Sequence, residues 1–287
     1  KYDQGIYFKN NKVYKFFTNP TIVEKRFIRS GILTEFVPKI LKKKKYLYVY
    51  DYIPGEVMSS SKNKLNNFKY LLKFLQNKFW IKKNLPKKKY LEFQSKCSSF
   101  YYEKTLSRIN FLYEKNNLRD KVEMINNKKI NKISNLFGKI NWQNLSKGVP
   151  VNFHGDLHFE NIIIKRNKFK FLDWREDFVD LMDYGDIYYD LAKINHGLIL
   201  DHNVISSSGY QIENNPKNIK FKFYQSKKNM KCQKILFEFI KKNNFDEKKV
   251  KILTSLIFLN IAGLHHYPYS LFLYYLGKFT LNDIIET

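Results

Sequence analysis

Residues 154–161 of this 287-residue chain read His-Gly-Asp-Leu-His-Phe-Glu-Asn, and three apolar runs, 149–153, 162–164 and 169–172, flank and follow them. Runs of that length separated by polar residues predict short strands, with 165–168 as the turn between the last two. The resulting β-hairpin holds Asn161 close to Asp173, the residue on which the last run ends, although twelve positions separate them. Few folds meet that requirement: a polar loop must be presented between strands, with a second carboxylate returned to it by a hairpin. Singly, Asp and Asn favour turns for local hydrogen-bonding reasons. Two His, a Gly, an Asp, an Asn at that offset and a strand-borne Asp form a combination that turn chemistry does not require.

An Asp with an Asn five positions on has the spacing of a phosphotransferase loop, in which the carboxylate meets a substrate hydroxyl and the amide oxygen turns back to magnesium. The transition state of phosphoryl transfer spreads negative charge over the transferred oxygens, so catalysis is mostly positioning and neutralisation by hard cations with oxygen ligands. Asp156, Asn161 and Asp173 supply such oxygens.

The segment from His154 to Asn161 resembles the catalytic loop of the aminoglycoside phosphotransferase and choline kinase superfamily, and Leu172-Asp173-Trp174 resembles its metal-binding segment. The resemblance implies an α+β, protein-kinase-like two-lobed fold, with a small β-rich N-lobe and a larger helical C-lobe. It makes Asp156 the catalytic base and Asn161 and Asp173 the magnesium ligands. Tyr184-Gly185-Asp186 through Asp190-Leu191-Ala192 is similar to the family's Gly-Asp…Asp-Leu-Ala segment, which implies that Asp190, with His154 and His158, supports the loop. Protein kinases are disfavoured, because Asp173 is followed by Trp174-Arg175 rather than Phe-Gly and no Ala-Pro-Glu appears. Residues 173–178 and 184–193, with 259–268, resemble a bacterial branch associated with capsule or surface-polysaccharide loci.

Residues 1–58 read as a nucleotide-binding lobe and 59–287 as the catalytic and substrate-binding lobe. Tyr7-Phe8, a turn at Asn10-Asn11 and the run 13–17 form a hairpin. Lys15 on its second strand is the expected phosphate-holding lysine. Asn19-Pro20-Thr21 starts a helix whose Glu24 pairs with that lysine, with Lys12 and Glu35 as alternates. The aromatic strand from Tyr46 ends at Pro54-Gly55 and resembles the family's hinge, meeting adenine near Asp51, Tyr52 and Ile53. Gly5 is the only glycine before Gly31, so no glycine-rich phosphate loop is visible. The start at Lys1 reads as a lobe entered part-way, with an additional N-terminal domain expected in the full-length protein.

In the second lobe, 65–144 is lysine-rich with few breakers and reads as helical. A hairpin follows at 210–223, turning at Asn214-Asn215-Pro216, and helices at 231–242 and from 248 to the end. The most apolar run, 253–264, is too short to span a bilayer. Cys97 and Cys232 are isolated and lie in no metal spacing, and no secretory leader is visible, so a cytoplasmic setting is expected.

The formal charge is +26, but only six of the 52 basic residues are Arg, and the lysines are dispersed among abundant Asn, Ile, Tyr and Phe. That pattern predicts a solvated basic surface with weak attraction to anionic surfaces and no specific nucleic-acid recognition. Acidic residues gather after Asp173. Trp174, Arg175, Glu176 and Asp177 are the expected substrate contacts, suited to a cationic amino alcohol or a sugar, with helix caps and surface ion pairs as the alternative use of some of them. The chain is accordingly expected to be an ATP- and magnesium-dependent phosphotransferase acting on a small-molecule hydroxyl. A kinase-like binding or regulatory module without activity is the alternative.

Overall fold

The computed structural model describes residues 4–165, 168–201, 204 and 209–286. The chain divides into two compact units, 1–84 with 149–190 and 85–148 with 191–287. A boundary at residue 58 falls inside the first.

In the first unit, β1 (Gln4–Lys9) and β2 (Lys12–Phe17) form the expected hairpin. Its turn residues, Asn10 and Asn11, have φ of 48° and 60°, and Asn tolerates the left-handed region because its side chain hydrogen-bonds locally. Strand alternation buries Val13, Lys15 and Phe17 on one face of β2, so a lysine lies between two core residues. With β3 (Ile40–Lys44) and β4 (Leu47–Asp51) they make an antiparallel sheet ordered β1-β2-β4-β3. Between β2 and β3, helix α1 (Pro20–Leu33) starts from Asn19, whose side chain accepts the Thr21 N–H, with Pro20 in the first turn.

The strand β5 (Glu56–Val57) pairs with β9 (Ile162–Lys165), which in turn pairs with β10 (Lys168–Phe171). The register sets Phe171 opposite Ile162, and the Leu172 N–H reaches the Asn161 carbonyl at 2.7 Å, so Asp173 emerges beside Asn161. In the predicted turn, Lys165 and Lys168 pair across the strands, and 166 and 167 lie outside the described residues. A short pair, β8 (Pro150–Val151) with β11 (Gly185–Asp186), flanks the entry to the loop. Stacked rings fill the core: Phe17 on Tyr48 at 5.5 Å between centroids and Tyr48 on Trp174 at 6.0 Å.

The first unit also carries α2 (Lys64–Phe74), whereas the second unit is mainly helical. It contains α3 (Lys87–Ser98), α4 (Lys104–Asn116), α5 (Ile133–Lys139), α6 (Trp142–Leu145), α8 (Lys227–Lys242), α9 (Glu247–Ala262) and α10 (Tyr269–Glu286). The helix α7 (Ile187–Ile199) carries Asp190 in its first turn. The apolar run 253–264 belongs mostly to α9, which packs on α10. There Gly277 permits close approach, since a Cβ at that position would meet the Ser255 carbonyl at 3.0 Å. No described helix is long and apolar enough to cross a membrane.

The structure corrects the helical reading of 65–144. After α4 the chain turns at Asn117, φ 49°, and forms the hairpin of β6 (Glu123–Ile125) and β7 (Lys128–Ile130) around Asn126 and Asn127, φ 49° and 63°. The expected hairpin of β12 (Tyr210–Asn215) and β13 (Asn218–Phe223) is present and supplies the partner that stabilises the unexpected one. Ile125 pairs with Ile219, the Asn126 N–H donates to the Ile219 carbonyl at 2.8 Å, and the Phe221 N–H donates to Asn126 Oδ1 at 2.9 Å. Tertiary pairing overrides the lysine-rich local pattern here.

Candidate active site

Buried polar groups fix the loop that starts at His154. The His154 ring is fully buried, with Nδ1 accepting the Asp156 N–H at 3.2 Å and Nε2 lying 2.8 Å from the Leu172 carbonyl. A neutral ring protonated on Nε2 satisfies both partners. Burial pushes His154 down to about 3 and so keeps it in that form, although Asp156 pulls the other way. Gly155 has φ 85°, and a Cβ there would come within 2.6 Å of the Arg175 Cβ, so the backbone approaches closely where only glycine fits. Asp190, fully buried, accepts the His154 N–H at 2.9 Å, the Gly155 N–H at 2.7 Å and Trp80 Nε1–H at 3.1 Å. Burial lifts Asp190 to about 6, against those three donors.

The chemistry-bearing side chains sit on this frame. Asp156 is partly exposed; its Oδ2 lies 3.6 Å from His158 Nε2, and its carbonyl accepts Asn161 Nδ2–H at 2.9 Å. Burial would lower His158, but the charge and hydrogen bond of Asp156, together with Glu160 at 2.8 Å from Nδ1, outweigh it and raise the ring to about 9. His158 is therefore a cation at neutral pH, held between two carboxylates. With the Asn161 amide nitrogen committed to the Asp156 carbonyl, its oxygen is the atom available to a cation. Asp173, at φ 55°, turns off the end of β10. One amide oxygen and one or two carboxylates suit magnesium, which prefers oxygen ligands and leaves other positions to phosphate and water.

Lys15 comes to this place from β2. It is buried and ion-paired with Asp173 Oδ1, which Arg26 Nη1 approaches at 3.7 Å. The expected partner, Glu24, is not brought to Lys15: it lies on the exposed side of α1 and pairs with Lys43. The alternates are elsewhere as well, Lys12 pairing with Asp51 at 3.1 Å and Glu35 receiving Lys170 through its carbonyl. Of the hinge residues, Asp51 and Tyr52 are exposed and Ile53 is half-buried. The Tyr52 N–H is committed to the Asn11 carbonyl at 2.8 Å.

The stretch after Asp173 divides. Trp174 is 1% exposed, stacked on Tyr48, with Nε1–H donating to the Arg26 carbonyl at 3.0 Å; the structure corrects its expected substrate contact to a core position. Arg175 and Glu176 are half-buried and face one another at 3.7 Å, with Arg26 3.8 Å from Glu176. Asp177 pairs with Lys25 at 2.5 Å, which raises the lysine above its ordinary range.

One residue that sequence reasoning missed joins these parts. Arg29 on α1 is 1% exposed, and its guanidinium donates to the carbonyls of Phe153 at 2.6 Å, Met182 at 3.0 Å and Arg175, while lying 4.1 Å from the Phe153 ring centroid. Burial lowers it to about 10, so it stays charged. A planar fork reaching three carbonyls cannot be reproduced by lysine. The signal was rarity: of six arginines among 52 basic residues, Arg26, Arg29 and Arg175 gather here.

This arrangement, a strand-borne lysine facing a metal-type carboxylate beside an Asp…Asn loop, defines a kinase-like fold. The structure is similar to the gentamicin complex of APH(2")-IIa, with TM-score 0.50 and 14% identity over 97% of this chain and 87% of that one. It is also similar to the streptomycin-ATP-APH(2")-IIa ternary complex, with TM-score 0.51 and 13% identity over 92% and 86%. Plasmodium vivax ethanolamine kinase is similar at TM-score 0.49 and 14% identity over 96% and 82%. More particularly, residues 107–197 match the phosphotransferase enzyme family, and this segment includes the loop, Asp173 and Asp190. The small-molecule phosphotransferase class expected from the motifs agrees with that match. No curated protein matches the chain.

Proposed function

We propose that the chain transfers the γ-phosphoryl group of ATP to a hydroxyl of a small molecule, a sugar or an amino alcohol, with magnesium. The observation that carries this reading is the convergence of Asp156 and Asn161 on one loop with Asp173 and Lys15, from distant parts of the chain. Asp156 is assigned to accept the hydroxyl proton. Asn161 Oδ1 and Asp173 would hold magnesium, which neutralises charge on the phosphate oxygens when bound. Lys15 is assigned to the nucleotide phosphates, leaving Asp173 as it does so. His154 and Asp190 hold the loop backbone, and His158 orients Asp156. In the proposed division of labour, 1–58 bind nucleotide, with adenine near Asp51 to Ile53, and 59–287 carry catalysis and acceptor.

For the acceptor, Arg175, Glu176 and Asp177 remain the proposed contacts. ATP in the APH(2")-IIa ternary complex is compatible with ATP as donor. A sugar acceptor fits the branch associated with surface-polysaccharide loci that 173–178 and 184–193, with 259–268, resemble.

ATP turnover should be measured against a panel of sugars, amino alcohols and aminoglycosides, with magnesium-dependent ATP binding followed by calorimetry for the wild type, Asn161→Ala and Asp173→Ala. Turnover with one acceptor, and weaker magnesium-dependent binding in both variants, is expected. ATP binding without turnover on any acceptor would favour the non-catalytic reading.

A further inference from the structure

The second unit contains a cavity of about 520 Å³ between α4, α5 and α6. Its wall is aromatic: Tyr102 and Trp142 at 4.8 Å between centroids, Phe137 and Trp142 at 5.2 Å, and Tyr113. The only formal charge on it is Asp120, and the lining includes no lysine or arginine. In a chain with 52 basic residues among 287, a lining of this size would carry about two at random, by proportion, so the lining itself bears a single negative charge although the chain as a whole is basic.

The carboxylate is fixed. Asp120 Oδ1 accepts the Ile133 N–H at 2.6 Å and Oδ2 accepts the Ser134 N–H at 2.9 Å, at the start of α5, with the Tyr113 hydroxyl 3.5 Å from Oδ1. That hydroxyl is held in turn by Tyr274 at 2.8 Å. On the opposite turn of α5, a Cβ added at Gly138 would meet nothing within 4 Å, so the cavity is open there. Tyr102 is 37% exposed, half at the mouth, whereas Phe137 is buried.

Ring faces carry negative potential and attract a cation within about 6 Å, more strongly when it is desolvated, and an adjacent carboxylate adds a Coulomb attraction. An inorganic cation would lose its water against the apolar rings, while the Asp120 oxygens that could replace it already accept two N–H groups and lie within reach of the Tyr113 hydroxyl. An alkylated ammonium has little water to lose and presents methyl or methylene groups to the rings. We propose that this cavity binds a small organic ammonium ion. The site is independent of the phosphotransferase reading, since every lining residue belongs to the second unit and the loop, Lys15 and Asp173 to the first.

Tetramethylammonium tests this cleanly, because it has no hydroxyl and cannot serve as a phosphoryl acceptor. The full chain carries three tryptophans and can be labelled with 5-fluorotryptophan, the Trp142 resonance being assigned by its loss in Trp142→Phe. Titration with tetramethylammonium should move that resonance saturably, while tert-butanol, a neutral probe of similar size, should not at the same concentration. The dissociation constant should rise about tenfold in Asp120→Asn and about fivefold in Tyr102→Leu. Because Asp120 also caps α5, Tyr102→Leu, at an exposed ring, keeps the test valid if the first variant is unstable. No saturable shift in the wild type, an equal response to tert-butanol, or unchanged affinity in Tyr102→Leu would overturn the proposal, whatever the turnover assays give.

Discussion

The loop from His154 to Asn161 and the α1 wall beside it both rely on charged residues, but they use the charge differently. Behind the loop, two buried charges end on its surrounding backbone: Asp190 accepts the N–H groups of His154 and Gly155, and Arg29, on α1 but directed inward, donates to three carbonyls, whereas His158 within the loop is the one ring held between carboxylates. On the wall, charges end on other charges: Lys15 on Asp173, Arg26 near Asp173 and Glu176, Lys25 on Asp177. Backbone partners cannot leave when a ligand arrives, whereas an ammonium paired to a carboxylate can exchange it for a phosphate. On the proposed function, the loop would fix the geometry of the reacting atoms and the wall would rearrange around a nucleotide. Preorganised groups lower a barrier most when they need no movement at the moment of reaction.

The sharpest way to break this comparison is at the fixed end. Asp156→Asn keeps the shape of the side chain and removes the proton acceptor, so kcat should fall by about 10²- to 10⁴-fold with ATP affinity nearly unchanged. Steady-state kinetics and calorimetry check both halves, and near-wild-type turnover would remove Asp156 from the chemistry.

The two arginines of α1 come next. Arg29→Met leaves one buried and two part-buried carbonyls without their donor and should cost about 3 kcal/mol of stability in denaturant unfolding. Arg26→Met loses charge contacts of 3.7 and 3.8 Å and a cation–π contact with Phe17 at 5.1 Å but leaves no backbone carbonyl without its donor, and should cost less, about 1–2 kcal/mol. Equal losses would mean that the backbone-anchored and charge-paired regions are not different in kind.

What was legible in the sequence follows the same division. The loop stood out because the proposed chemistry needs particular residue types at fixed spacing, and the hairpin after it, which the structure contains, because apolar runs set its register. Asp190 was singled out from motif resemblance, and it accepts three hydrogen bonds, two of them from the backbone of His154 and Gly155. The pairing of Lys15 with Glu24 was not legible, because nothing in helical spacing says which face of α1 turns inward: Val23, Arg29 and Leu33 are buried and Glu24 points out. Trp174 looked like a ligand contact because it follows Asp173, yet its ring completes the Phe17–Tyr48 stack. The two Asn-Asn turns make the point most directly. Asn10-Asn11 was read as a turn because alternating aromatics flank it; Asn126-Asn127 has the same left-handed backbone but lysines around it, and its strands depend on β13, nearly a hundred residues away.

A smaller effect separates His158 from its neutral neighbour His154. His158 has its ring raised from 6.5 to about 9, so the folded chain holds a proton that the unfolded chain releases. Its stabilising contribution is fully present below about pH 6.5 and is lost as pH rises through about 9. The stability difference between wild type and His158→Gln should therefore shrink by on the order of 2 kcal/mol between pH 6 and pH 9.5. A difference independent of pH would show that His158 is not the cation between Asp156 and Glu160.

The smallest expected effect is the most discriminating for the wall. If Glu24 held Lys15, as kinase-like spacing suggests, Glu24→Gln would free the lysine and weaken nucleotide binding by an order of magnitude or more, in keeping with the role of that ion pair. In the structure Glu24 is half exposed and paired with the surface residue Lys43, an arrangement worth about 0–1 kcal/mol. Glu24→Gln should then change kcat and the KM for ATP by less than about twofold, roughly what a surface pair of this kind contributes. Arg26→Met, which removes the guanidinium 3.7 Å from Asp173, should alter ATP affinity more than Glu24→Gln does. If Glu24→Gln instead produced the larger loss, α1 would have to turn on nucleotide binding so that Glu24 replaces Asp173 as the partner of Lys15. The wall would then exchange its ion pairs by moving a helix rather than a single lysine side chain.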